Sequence, residues 1–508
     1  MINGYVRNGD LNAARKLFDQ NTSSRNVVSW NSMITGYVKH DHMPHAQLLF
    51  DQMPVRDVVS CNTILSGLYK IKNPEGIYHS ILQMGRIGLR PNEFTFSIVI
   101  TAFLNTVFNV LIPQLHGLIL CLALNSSVFV GSSLMRGYTD LRNCEGLHQV
   151  FDEILVKDVT SWNALILGYM DLGLTAKARR AFELTPEKNV VSWTTLVNGY
   201  ITNKKLNEAW SLFNKMSERN VVSWTVMING YVQNDKFVCA LEVFLSMLRS
   251  GARPNHFTFS SVLEACAGCS SLLMGKQIHS NVLKFGMPLD VILSTSLVDM
   301  YAKCGDIEAA FSIFESIPKK NRVSWNSIIG GYARHGLATR ALEEFERMMK
   351  CGVRPDEVTF VNVLSACSHG GLIEEGERHF NLMGTKYGIQ AGIEHYTCMV
   401  DLYGRAGHLE KAEKLIKGMP FEPDVVVWGA FLAACGLYSS LELGEFAAEG
   451  VYKLESDHPA VYSMLSKIHG EKGVWGTVFE LRKMMKERHA KKQKADAKPE
   501  HLQEYDPT

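Results

Sequence analysis

The chain has 508 residues, too many for one compact core, since single cores stop growing near roughly 250–300 residues. Hydrophobic residues are 46% and charged residues 20%, which excludes a disordered chain and leaves several domains or a repeat array. The formal net charge of +1 excludes a uniformly basic nucleic-acid binder; a chain of this charge that bound nucleic acid would have to gather its positive charge on one face.

At the N-terminus MINGYV aligns with MITGYV at residue 33. Residues 1–26 are therefore expected to be a partial unit lacking six positions, with the chain starting inside a longer parent or at an internal start codon. No apolar signal core or Arg/Ser-rich leader is visible. The period is then set by tryptophans: Trp162, Trp193 and Trp224 are each 31 residues apart, within VTSWNALILGY, VVSWTTLVNGY and VVSWTVMINGY. Trp30 and Trp325 sit in VVSWNSMITGY and RVSWNSIIGGY. A second pattern follows such openings, as in AWSLFNKM, ALEVFLSML, AFSIFESI and ALEEFERMM. Both halves carry helical spacing of apolar residues, and turns with Gly or Asn (VRNGD, AKCGD, GRAGH) separate them.

A second kind of unit opens with EFTFS at 93, HFTFSSVLEAC at 256 and EVTFVNVLSAC at 357, each after an R-P-N or R-P-D ending at Asn92, Asn255 or Asp356. Closing each unit on its Asn or Asp gives the frame 27–57, 58–92, 93–127, 128–158, 159–189, 190–220, 221–255, 256–290, 291–321, 322–356, 357–392 and 393–424. One unit cannot bury its own apolar stripe, so the fold class is all-α: an α-solenoid of tandem helix–turn–helix repeats with a concave face. The stretch 97–124 lacks charge but contains Asn105, Asn109, Pro113, Gln114 and His116, and is expected to be a repeat rather than a membrane span. The eleven cysteines lack framework spacing and read as reduced, mostly buried thiols; Cys266 and Cys269 form a CxxC without the second pair that zinc needs.

These openings, turns, second helices and alternating lengths resemble the plant pentatricopeptide repeat family, in its subclass of alternating P, L and S motifs. The resemblance extends to about residue 488 and implies a right-handed superhelix. VVVWGAFLAAC at 425 resembles the family's E1 motif, and YSMLSKI at 462, GVW at 473 and LRKMMKER at 481 resemble E2. This gives an E1-like segment over 425–458, an E2-like segment over 459–488 that is cut short, and a basic tail over 489–508, expected to be solvated and partly disordered. The shortening puts recruitment of partners through that segment in question.

The resemblance implies RNA reading at one base per repeat. The base-reading candidates at position five are Asn31, Asn62, Ser132, Asn163, Thr194, Thr225, Thr295, Asn326 and Thr397. Those at the last position are Asp57, Asn92, Asp158, Asn189, Asn220, Asn255, Asn321, Asp356 and Asp424. The alternative is helix capping, which favours the same residue types. An ionised Asp only accepts hydrogen bonds and suits uracil or guanine; an Asn amide can donate and suits cytosine or adenine. Asn at position five then leaves room for a pyrimidine, and Ser or Thr for a purine. With the L units unread, the target reads U-Y-N-G-Y-A-A-N-A-U-N-G-N-N-N-C, the family placing the edited cytidine four nucleotides beyond the last S unit.

Position two carries Val28, Val59, Val191, Val222 and Val323, which sandwich the base in the family or else pack a helix. Position thirteen carries Arg7, Lys39, Lys70, Lys303, Arg334 and Arg405; Lys39, Lys70, Lys303, Arg334 and Arg405 are the phosphate-binding candidates, against a reading as solvated charges. Asp140, Asp171, Thr202 and Gln233 break that row.

Catalysis is not expected. The deaminase signature H-x-E with P-C-x-x-C is absent, since no Pro-Cys dipeptide occurs and neither H-x-E match, His408–Glu410 or His469–Glu471, has cysteine ligands placed after it. No cofactor or metal is implied. The expected partners are single-stranded organellar RNA and a DYW-type deaminase or other editing factor acting in trans, with no membrane and no small-molecule substrate. The expected location is the mitochondrion, with the chloroplast as alternative. Splicing or transcript stabilisation is the competing RNA role, and a protein-binding scaffold the competing class.

Overall fold

The computed structural model describes residues 1–20, 25–455, 459–473 and 475–483. Among the described residues every regular element is a helix. Two compact units emerge: residues 1–236 with 243–252, and residues 237–242 with the chain from 253 onward. In the first, helix pairs such as Val27–Lys39 with Met43–Gln52, and Val159–Asp171 with Thr175–Leu184, follow one another. In the second, Val291–Lys303 with Ile307–Ser316 and Arg322–Arg334 with Ala338–Lys350 repeat the plan. Within each unit the first helix of a pair packs on its own partner and on the first helix of the next pair. The fold is an α-solenoid.

First helices begin at Val27, Val58, Glu93, Val128, Val159, Val190, Val221, His256, Val291, Arg322, Glu357 and Ile393, the first position of each unit of the frame. They start there because a capping residue precedes them, and they stop at a turn one residue of which is left-handed. Glycine fills that place at Gly9, Gly305 and Gly407, where φ is +81°, +95° and +78°. Elsewhere the turn contains Asn but the left-handed place falls to its neighbour, at Lys72, Arg142, Lys204 and Asp235 (φ +54° to +58°); the turn at Asp41 (φ +62°) has neither Gly nor Asn.

The tryptophan period has a packing cause. Phe18, Phe151, Phe182, Phe213 and Phe314 on second helices meet Trp30, Trp162, Trp193, Trp224 and Trp325 of the next first helix edge-to-face, with ring centroids 4.7–4.9 Å apart. The residue before the cap completes the joint. Arg25, Lys157, Lys188, Arg219 and Lys320 lie over the phenylalanine rings at 4.5–5.4 Å. The same side chains donate to carbonyls at the end of the second helix, as in Arg25 Nε to Phe18 O (3.0 Å) and Lys188 Nζ to Thr185 O (2.7 Å). They close a helix end that would otherwise leave acceptors open.

In several first helices glycine at the tenth position makes room for a side chain of the preceding first helix. A Cβ on Gly199 would lie 2.2 Å from Met170 Cγ, and one on Gly230 would lie 2.5 Å from Ile201 Cδ1. The charge-free stretch 97–124 is divided among Glu93–Phe103, a 3-10 turn Val107–Leu111 and Ile112–Cys121, with Pro113 in the first turn of the last. No described helix is long and apolar enough to cross a membrane. All eleven cysteines are free thiols, but the expectation of mostly buried ones needs correction: Cys61, Cys266, Cys367 and Cys435 are buried, whereas Cys121 and Cys351 are exposed at the ends of second helices. Cys266 is a helix-packing thiol, its pKa pushed up to about 12 by burial.

Past the frame, Asp424 caps Val425–Leu437, which pairs with Leu441–Leu454 and is followed by Pro459–Glu471. Phe431, Leu432, Ala447, Val451 and Ile468 form one core there. Residues 484–488 of the E2-like segment and the tail 489–508 lie outside the described residues.

Candidate nucleic-acid interface

The last residue of a unit is the N-cap of the next unit's first helix. Asp57, Asn92, Asp158, Asn189, Asn220, Asn255, Asp290, Asn321, Asp356 and Asp424 each accept, through Oδ1, the backbone N–H three residues on, at 2.8–3.0 Å. Capping and base reading are therefore not rivals at this position. The cap takes Oδ1 and leaves the other side-chain atom, Nδ2 in Asn and Oδ2 in Asp, outside the cap; Oδ2 of Asp356 meets Arg322 Nη1 at 3.5 Å. Position five lies one turn inside the helix and caps nothing. Two last positions depart from the rule. Ser127 makes no side-chain cap, and at Gly392 the ring of His395 substitutes, its Nδ1 accepting the Gly392 N–H at 3.1 Å. That acceptor role leaves the proton on Nε2, which donates to Glu357 O at 3.0 Å.

In three units the two reading candidates are hydrogen-bonded to each other. Asn31 Nδ2 donates to Asp57 Oδ1 (3.2 Å), Asn62 Nδ2 to Asn92 Oδ1 (3.1 Å) and Asn326 Nδ2 to Asp356 Oδ1 (3.1 Å). Thr95 and Thr359, third residues of the following helices, donate to the amide oxygens of Asn62 and Asn326 at 2.7 Å. Where serine takes that place, as Ser60 and Ser192 do, Asn31 Oδ1 and Asn163 Oδ1 are buried without a partner. The hydroxyls of Ser132 and Ser260 are likewise buried and unpartnered. Thr194, Thr225, Thr295 and Thr397 instead donate to the carbonyl four residues back, at 2.6–2.8 Å. This spends the hydroxyl proton and leaves an acceptor.

Position two faces solvent. Val28, Val59, Val191, Val222 and Val323 are 56–69% exposed, so they do not pack the core. Phe94, Phe129, Phe257, Ile292 and Val358 share the register and are 49–63% exposed, so the position is apolar and exposed beyond the five valines. Because the polar pair bridges consecutive first helices, the position-two side chains of those same helices flank it.

Position thirteen lies about 12 Å beyond position five along each first helix, at a rise of about 1.5 Å per residue. Lys39, Lys70, Lys303, Arg334 and Arg405 are all exposed. Several are countered by acids on the helices: Lys303 and Arg334 both reach Asp299 (2.7 and 3.5 Å), and Arg405 reaches Asp401 (2.8 Å). Lys70 donates to Val38 O at 3.3 Å. The row is thus weaker in net charge than its spacing suggests.

Burial works against the Asp356 carboxylate, yet the Thr359 N–H and hydroxyl, the Asn326 amide and Arg322 together hold its pKa below the ordinary 3.8. Asp57 is held down the same way, against burial, by Ser60 and Asn31. A folded-state pKa lowered in this way stabilises above the unfolded value and is lost as pH falls through the folded one. Asp356→Ala is expected to cost about 1 kcal/mol in urea unfolding at pH 7, and Asp356→Asn much less, because Asn caps as well as Asp. The gap between wild type and Asp356→Asn should narrow below pH 4.

Models of the pentatricopeptide (PPR) repeat match residues 1–20, 28–105, 160–268, 293–386 and 394–422, together well over half of the chain, and an E motif matches 438–494. The chain belongs to the pentatricopeptide repeat family. Among its Arabidopsis thaliana relatives, pentatricopeptide repeat-containing protein At5g56310 is 37% identical, over 88% of this chain and 79% of that protein. Pentatricopeptide repeat-containing protein At2g03880, mitochondrial, is 33% identical over 97% of this chain and 67% of that one. Of three further Arabidopsis relatives this PPR chain spans only 57%, 54% and 50% of the length. The crystal structure of the pentatricopeptide repeat protein PPR10 in complex with an 18-nt psaJ RNA element matches with a TM-score of 0.54 and 16% identity, over 95% of this chain and 88% of that one, a likeness of fold.

Proposed function

We propose that this PPR chain binds single-stranded RNA of a plant organelle sequence-selectively and marks a site of C-to-U editing, the chemistry coming from a deaminase in trans. The observation that carries the reading is the paired polar side chains between consecutive first helices, Asn31 with Asp57, Asn62 with Asn92 and Asn326 with Asp356, each flanked by exposed apolar residues. Such a slot offers an unstacked base hydrophobic contact on its faces and hydrogen bonds at its edge. The RNA named in the PPR10 complex supports the ligand class, the E motif supports the editing role, and two relatives named as mitochondrial support the compartment.

The test is a gel shift with the RNA U-Y-N-G-Y-A-A-N-A-U-N-G-N-N-N-C against a scrambled sequence of equal composition. Tight binding of the first alone is expected; equal binding of both removes the proposal. Loss of the gene should abolish editing at one organellar cytidine. Intact editing with a splicing or stability defect would move the role to RNA processing.

A further inference from the structure

The row of cations at position thirteen is interrupted in two consecutive units, by Asp140 and Asp171. Asp140 serves the neighbouring turn instead. Its Oδ2 accepts the backbone N–H of Asn105 and the Nδ2 of Asn109, both at 3.0 Å. Asn105 is the left-handed residue after the first helix of unit 93–127, with φ +56°. The carboxylate thus pins that turn through two amide donors.

Arg136 stands one turn before Asp140 on the helix Val128–Asp140, a spacing at which arginine and aspartate ordinarily pair. Here the aspartate faces the asparagines. Arg136 is exposed, and among the described residues it has no hydrogen-bond or ion-pair partner. It lines a cleft of about 480 Å³ whose other walls come from the turns of the two preceding units, with Lys72, Asn73, Asn105 and Thr106. Lys72 is exposed as well. Arg136 occupies position nine, one turn beyond Ser132 at position five and on the same face of the helix. Elsewhere in the frame position nine holds no cation, and it is acidic at Glu264, Asp299 and Asp401. Partial desolvation raises the pKa of Asp171, and the charges of Arg136 and Arg142 oppose that rise. Around the gap Lys72, Arg136 and Arg142 outnumber Asp140 and Asp171.

We infer that Arg136 and Lys72 form a site for a phosphate of the RNA backbone, one turn inside the row of position thirteen and carrying it across the gap left by Asp140 and Asp171. The inference rests on the RNA-binding proposal. A free guanidinium fork matches two phosphate oxygens, and the Lys72 ammonium adds a second positive charge to the same cleft. The site reads no base. It adds affinity at the junction of three units and holds the strand in register there.

The test measures affinity for the target RNA and its scrambled counterpart at graded potassium chloride, starting at low salt where both bind. Losing one phosphate contact on a single strand makes the slope of log K against log salt shallower by about 0.7. Arg136→Ala should show that change and should weaken both RNAs by the same factor, about fivefold at low salt, the upper end for an exposed ion pair. Lys72→Ala should move the slope in the same direction. Arg136→Lys keeps the charge and should keep the slope. Arg180, an exposed cation on the second helix Thr175–Leu184, is the control for charge alone, and Arg180→Ala should leave the slope unchanged. An unchanged slope in Arg136→Ala overturns the site. An equal change in Arg180→Ala also overturns it, since the effect would then be a diffuse field. A loss confined to one of the two RNAs overturns the phosphate assignment. If the wild type binds neither RNA, the RNA-binding proposal fails and this site with it.

Discussion

Exchanging Asn326→Thr together with Asp356→Asn should switch the tenth nucleotide of the bound RNA from U to A, while the fold remains intact. Asn326 Nδ2 donates to Asp356 Oδ1, and Asp356 caps the next helix through that same oxygen. The Asn replacement keeps the cap and puts a donor in the place of the Oδ2 acceptor. The Thr replacement shortens the side chain and, like Thr295, spends its proton on its own helix. Each mispaired buried polar group costs about 1–3 kcal/mol. Wild type should therefore prefer U over A by roughly 5- to 150-fold, and the double variant should invert the order. Affinities for the two RNAs, measured on both proteins, decide it. A variant that weakens binding to both equally would show that the pair positions the backbone without reading the base.

Trp325→Ala should cost about 3–5 kcal/mol, the range for removing a buried large aromatic. The indole is 1% exposed, meets Phe314 edge-to-face at 4.9 Å and has the Arg347 guanidinium over it at 5.7 Å. Its Nε1 is buried without a partner, so Trp325→Phe should lose much less than the alanine variant. Because a solenoid is held by nearest-neighbour interfaces, the loss should be local. Hydrogen exchange should accelerate between about residues 291 and 392 and stay slow in the unit that ends at 252. Uniform acceleration along the chain would contradict a nearest-neighbour array.

Where sequence was informative, a residue type maps onto one physical demand. Tryptophan recurs because one ring bolts each pair to the next, and Asn or Asp recurs because each first helix needs a cap. Period and helix starts could therefore be read directly. The basic residue before several caps recurs as visibly, yet Lys157, Lys188 and Arg219 look like ordinary surface charge until the ring and the carbonyls beneath them are placed. The turns are legible from their Gly or Asn, but which residue becomes left-handed is not, since Lys72, Arg142 and Lys204 take positive φ beside Asn73, Asn143 and Asn203. In the candidate site the polar pairs were legible by position. Their contact across 26 to 30 residues was not. The row at position thirteen was legible as charge, but the counter-charges Asp299 and Asp401 sit on the same or a neighbouring helix, where a position-by-position reading does not look.

The shared atom in each cap has a consequence for how such a protein changes over generations. Aspartate and asparagine codons differ at a single base, and both residues hold the helix start equally well. A point mutation at Asp57 or Asp356 can thus alter which transcript is recognised without pushing the array toward the stability threshold that removes most new variants. Descendants of one gene can drift between targets along a path on which every intermediate still folds.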